Sequence, residues 1–147
     1  MLCFFIGHRD AESRLMPQIE DAVNRHITEY GVTDFVVGQY GAFDRMAARA
    51  VIDAKKTFPQ ISLSILLPYH PFERKIQAPE GYDETFYPPG METIPRRYAI
   101  IRANQYMINH CNYLIAYAWQ PVGNSRKFLE YAKQRQNIII TELYRPF

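Results

Sequence analysis

Short apolar runs alternate with amphipathic stretches along this chain, and that alternation constrains the fold more than any other feature. Residues 2–6, 34–37, 61–67, 113–118 and 137–141 are rich in branched and aromatic side chains and read as buried strands. They are continuous in their apolar content, as strands covered on both faces require. Between them, Met16, Ile19, Val23, Ile27 and Tyr30 step by three or four and stop at Gly31. Phe43, Met46, Ala47, Ala50, Val51 and Ala54 form the cleanest helical stripe, and residues 98–109 and 126–136 complete the set. Strands and helices in this order predict a single α/β domain over residues 1–147. The expected architecture is a Rossmann-like open, mostly parallel sheet of about five strands with helices on both faces.

The length of 147 residues fits one domain, at roughly 100–200 residues per domain. A hydrophobic content of 48% excludes a disordered chain. The net charge of +2 gives no support to polyanion binding. Arg96, Arg97 and Arg102 cluster beside Tyr98, but Glu80, Asp83, Glu84 and Glu92 lie upstream and offset them, so nucleic acid is disfavoured as a partner. No apolar run reaches the roughly 18 residues of a membrane helix, so no membrane partner is expected. The apolar residues 2–6 lack a basic flank and are cut short by His8-Arg9-Asp10, unlike a secretory leader. Cys3 and Cys111 stand in no metal or redox spacing, and a reduced, cytoplasmic protein is expected. Whether the chain forms a homo-oligomer is left open.

Residues 68–97 break the alternation. They hold Pro68, Pro71, Pro79, Pro88, Pro89 and Pro95 together with Tyr69, Phe72, Tyr82, Phe86 and Tyr87. A connection this long is either a lid over a binding site or a surface flap packed by its own aromatics.

Ligands of open α/β sheets bind beyond the carboxyl ends of the strands, which directs attention to the strand-to-helix turns. Gly7-His8-Arg9-Asp10 follows the first strand: glycine permits close backbone approach, and Arg9 can clamp a phosphate. The alternative is Arg9 paired with Asp10 or Glu12 and His8 bonded to backbone. Gly38-Gln39-Tyr40-Gly41-Ala42-Phe43-Asp44 follows the second strand, where Asp44 either holds a ribose hydroxyl or interacts with its own helix terminus. This turn lacks the G-x-G-x-x-G spacing of a dinucleotide fingerprint. Gly123-Asn124-Ser125-Arg126 follows the fourth strand and offers either a second phosphate cradle or ordinary helix capping, with Glu130 in the helix beyond. Three glycine-bearing turns at three strand ends point jointly to a nucleotide or phosphorylated small molecule. No G-x-S-x-G elbow, P-loop lysine motif or metal-ligand spacing of His8, His26, His70 and His110 is present, so no metal or resident cofactor is called for.

The residues Phe5-Ile6-Gly7-His8-Arg9-Asp10 resemble the Gly-His-Arg opening of SLOG-superfamily proteins. Residues 36–46, Tyr87-Pro88-Pro89-Gly90, 95–100 and 102–108 are similar to a short bacterial subgroup largely described as a domain of unknown function. The superfamily includes the DNA-processing protein A fold, the cytokinin-activating phosphoribohydrolases and proposed sensors of ADP-ribose-like ligands. The resemblance implies a nucleotide-derived ligand held by Gly7, Arg9, Gly38, Asp44, Gly123, Asn124 and Ser125, with Arg102 and Asn104 matching a recurrent Arg–Asn pair; His8 and Gly41, from the same two turns, complete the candidate ligand-binding residues. The phosphoribohydrolases carry Pro-Gly-Gly-x-Gly-Thr and a catalytic glutamate, of which Pro121-Val122-Gly123-Asn124-Ser125 and Glu130 keep only part. Binding is therefore the leading expectation, with Tyr82, Phe86 or Tyr87 near the base. Hydrolysis of an N-glycosidic bond by Asp44 or Glu130 is the first alternative, and a protein-interaction module built on the aromatic loop is the second.

Overall fold

The computed structural model describes residues 1–70 and 78–146. Its elements are β1 (Leu2–Gly7), α1 (Met16–Thr28), β2 (Asp34–Val37), α2 (Ala42–Lys55), β3 (Ser62–Leu66), β4 (Glu84–Phe86), α3 (Ala99–His110), β5 (Tyr113–Tyr117), α4 (Asn124–Lys133) and β6 (Ile139–Glu142). All six strands are parallel, in the order β4-β3-β2-β1-β5-β6. The chain is thus the α/β, Rossmann-like domain that the alternation predicts, with one strand more than expected.

Both faces of the sheet are buried, and the pleat divides its side chains between two cores. Cys3, Phe5, Phe35, Val37, Ile115 and Tyr117 face α1 and α2. Phe4, Ile6, Val36, Leu66, Leu114 and Ala116 face α3 and α4. The helical stripes answer them: Ile19, Val23 and Ile27 of α1 and Phe43, Ala47 and Val51 of α2 on one side, Ala103 and Met107 of α3 and Leu129 of α4 on the other. His26 is buried among the α1 core residues, with its Nδ1 2.6 Å from Ala22 O.

The extra strand lies within residues 68–97, which are therefore not one long loop. Glu84–Phe86 extends the sheet beyond β3, and single 3-10 turns follow at Met91–Thr93 and Arg96–Tyr98. Tyr69, Phe86, Tyr87 and Ile94 pack against the core on the α3 and α4 side, and Met91 is buried there. Tyr82 packs on the opposite side, among the α2 core residues. Phe72 and the rest of residues 71–77 lie outside the described residues.

One contact sets the relation of α2 to the sheet. A Cβ added to Gly7 would fall 2.1 Å from Cγ of Phe43, a ring that is fully buried and stacks on Tyr117 at 6.3 Å. Gly7 is a glycine because α2 occupies the space beside the end of β1. Replacing it with alanine forces that ring, or the helix, to move. Gly7→Ala should lose about 1–3 kcal/mol of stability, the usual cost of overpacking a filled core, measured by urea unfolding against wild type. An unchanged midpoint would show that α2 is not held there.

Candidate functional site

The strand order reverses direction between β1 and β5: the chain leaves β1 toward β2 on one side and reaches β5 on the other. Crevices at such a switch point, beyond the carboxyl ends, are where open α/β sheets hold ligands. A cleft of about 370 Å³ opens there, a size suited to one small molecule. Gly7, His8 and Arg9 line it from the β1 turn, Gly38 and Asp44 from the β2 turn and α2, Asn104 from α3, and Gly123, Asn124 and Ser125 from the β5 turn and α4. The three turns singled out in the sequence meet in one place.

Three of the named residues do not line the cleft. Gly41 packs against the β1 turn instead: a Cβ on it would fall 2.4 Å from Arg9 Cα. Arg102 is exposed on α3 outside the lining. Glu130 is exposed too, and its carboxylate accepts an ion pair from Arg126 at 2.8 Å. Tyr82, Phe86 and Tyr87 contribute nothing to the lining either. The cleft is also bordered by the polar residues Tyr40, from the β2 turn, and Gln120, and by the apolar residues Leu66, Pro68, Ile100 and Phe128.

Two helices enter the site through the same backbone geometry. Gly41 precedes α2 with φ 110° and ψ −179°, and Gly123 precedes α4 with φ 103° and ψ 170°. Only glycine occupies this region without strain. Neither helix has a side-chain cap. The capping role considered for the Gly123-Asn124-Ser125 turn is thus not realised, because the cap position is Gly123 and the Ser125 hydroxyl is spent elsewhere. Its Oγ donates to Gly7 O at 2.9 Å and latches α4 onto β1. The amides of residues 124–126 begin α4 with no backbone acceptor among the described residues, leaving them to an anion. At α2, the Ala42 amide is already used, donating to Arg9 O at 2.9 Å.

The charged groups are unequal. Arg9 is exposed at the cleft and forms no ion pair among the described residues, against the pairing with Asp10 or Glu12 considered above. Glu12 instead accepts a hydrogen bond from the Tyr117 hydroxyl at 2.6 Å. That bond holds the Glu12 carboxyl below its ordinary value, while burial and the carboxylate push the phenol up to about 12. His8 is buried, and its Nε2 accepts a hydrogen bond from the Gln120 amide at 3.1 Å. Burial lowers its pKa, partly opposed by Asp10 and Glu12, so the ring is neutral with its proton on Nδ1.

Asp44 lies in the first turn of α2, half-buried, and its Oδ2 accepts the Tyr40 amide at 3.0 Å. A side chain on Gly38 would meet that oxygen at 2.8 Å. Burial raises the pKa to about 7, outweighing the Tyr40 amide and Arg45, which act the other way. Among the described residues no group of three or more His, Cys, Asp or Glu side chains is placed to hold a metal ion.

The elevated Asp44 pKa fixes the sign of a pH effect. The folded state favours the protonated carboxyl, so this group's contribution is full below pH 3.8 and is lost as pH rises through about 7. His8 and His26, both lowered by burial, lose their contribution in the opposite direction as pH falls below 6.5. Asp44→Asn keeps an acceptor for Tyr40 and removes the titration. Its stability relative to wild type should therefore rise between pH 4 and pH 7, by at most about 1.4 kcal/mol per unit, and level off above. Urea unfolding of both proteins across that range checks it; parallel stability curves would exclude a buried acidic Asp44. No family model and no curated protein matches the chain, so its functional reading rests on this geometry.

Proposed function

We propose that the cleft binds a nucleotide or nucleotide-derived small molecule. One observation carries the reading: an arginine without an ion-pair partner among the described residues, Arg9, lines the same cleft as the glycine-capped N-terminus of α4. Together they supply a charge and converging amides for a phosphate. Asp44 accepts or donates to a sugar hydroxyl on the other side, and the apolar residues bordering α3 take the base. The resemblance to SLOG-superfamily proteins agrees with this assignment.

The test is a thermal-shift screen with AMP, ADP, ATP, cyclic nucleotides, NAD and ADP-ribose on wild type and Arg9→Ala. A compound at about 100 times its Kd adds about 2.7 kcal/mol. Losing a charged hydrogen bond to phosphate costs about 1.5–3 kcal/mol, so Arg9→Ala should bind the same compound about tenfold to a hundredfold more weakly. A cooperative melt that none of the compounds displaces would overturn the reading.

Hydrolysis of the N-glycosidic bond is the second reading, and the half-protonated Asp44 in the cleft favours it over a purely passive site. Glu130, paired with Arg126 outside the cleft, has no part in it. Release of free base from a bound monophosphate, abolished in Asp44→Asn and retained in Glu130→Gln, would establish turnover.

A further inference from the structure

β6 closes the sheet with no strand beyond it among the described residues. In a parallel ladder, alternate residues turn both backbone groups toward the same neighbour. The Ile139 amide donates to Asn112 O at 3.0 Å and the Leu143 amide to Ala116 O at 2.8 Å, so Ile139, Thr141 and Leu143 serve β5. Ile138, Ile140 and Glu142 turn their backbone groups outward. The other edge, β4, is three residues long with Glu84 and Thr85 exposed, a common protection of an edge against pairing. β6 lacks that protection. It continues Ile138 with Ile139 and Ile140, contains no proline, and its one charge, Glu142, is paired with Lys133 at 3.7 Å. Ile138 and Ile140 pack on the α3 and α4 side, while Ile139 alternates to the opposite face and is 56% exposed.

We infer that β6 is a dimer edge, pairing antiparallel with β6 of a second copy of this chain about a two-fold axis at Ile140. Such an interface must be complementary to itself, and that condition selects the register. An axis at Glu142 sets two carboxylates opposite one another. An axis at Thr141 needs Tyr144 opposite Ile138, but the Tyr144 amide and carbonyl are both taken by Gln18, at 3.0 and 2.9 Å. An axis at Ile139 sets Glu142 against the bend at Gln136. The axis at Ile140 uses the outward groups of all three residues. Ile140 meets Ile140 of the second copy, and Ile138 meets Glu142 of the second copy in both directions, each pair exchanging both of its N–H···O bonds. On the α1 face, where Thr141 Oγ1 lies 3.4 Å from His26 Nε2, the same register sets Ile139 against Thr141 of the second copy. That branched pair covers the exposed isoleucine. A second copy fits this edge better than a charged peptide, because the Lys133–Glu142 pair leaves the strand without net charge to attract one.

The experiment is light scattering of the size-separated full chain over a concentration series, on wild type, Ile139→Lys, Ile140→Cys and Thr141→Cys, with melting curves confirming that each folds. Wild type should pass from one chain mass to two as concentration rises. Ile139→Lys, a substitution at an exposed position, should weaken dimerisation at least tenfold. Under mild oxidation Ile140→Cys should form a covalent dimer, since hydrogen-bonded partners stand about 5.5 Å apart at Cα, within disulfide reach. Thr141→Cys should not, because its two copies are offset by two residues, about 7 Å along the strand. Cys3 and Cys111 are buried, so oxidised wild type serves as the blank. A wild type that stays monomeric up to millimolar concentration would overturn the inference. So would a dimer unaffected by Ile139→Lys, or cross-linking of Thr141→Cys in preference to Ile140→Cys.

Discussion

The Phe43 ring fills the space where a side chain on Gly7 would stand, and the geometry of the cleft depends on that contact. Phe43 belongs to the first turn of α2, stacks on Tyr117 at the end of β5 and lies 6.4 Å from the Phe5 ring of β1. One buried ring thus ties the end of β1, the end of β5 and the start of α2 to a common point. Asp44 is the next residue in the chain. Its position in the cleft is a consequence of where its neighbour is packed.

That placement also decides the charge of the site. A carboxylate ionised at neutral pH would oppose a phosphate arriving at the same crevice. Half-burial against the Gly38 turn, with a single amide bond from Tyr40 in partial compensation, raises Asp44 far enough that the proton is partly retained near pH 7. Arg9 remains the dominant charge, and the amides of the α4 terminus act in the same sense. Burial, the force that assembles the core, here tunes an electrostatic feature.

The sheet was largely legible because its strands are runs of apolar residues with no other use, and the helix stripes are phased to cover them. β4 escaped the reading because Glu84-Thr85-Phe86 is short, lies at the sheet edge and carries two exposed residues, so nothing in its pattern separates it from the proline-rich segment around it. The three glycine turns were visible as turns, but the reasons for two of their glycines were not: Gly7 and Gly38 make room for Phe43 and Asp44, neighbours distant in sequence or set by helix entry. Helical phase separates Asn104 from Arg102, because residues 100, 103 and 104 share a face that residue 102 does not. Gln120 enters through its backbone amide, bonded to His8, a role that no side-chain pattern announces.

The cleft is held together by bonds that need no ligand. Ser125 Oγ to Gly7 O joins α4 to β1, the Gln120 amide to His8 Nε2 joins the β5 turn to the β1 turn, and the Ala42 amide to Arg9 O joins α2 to the same turn. Each spans two segments far apart in the chain, and all three meet on residues 7–9. A site assembled this way spends little binding energy on ordering its walls. The consequence is a division of labour within one short turn. Gly7, His8 and the backbone of Arg9 fix the walls, so substitutions there act on stability and, under the proposed function, on binding as well. The Arg9 guanidinium makes no ion pair among the described residues, so its replacement should leave these walls in place and act on the proposed ligand, which makes the two effects separable by experiment.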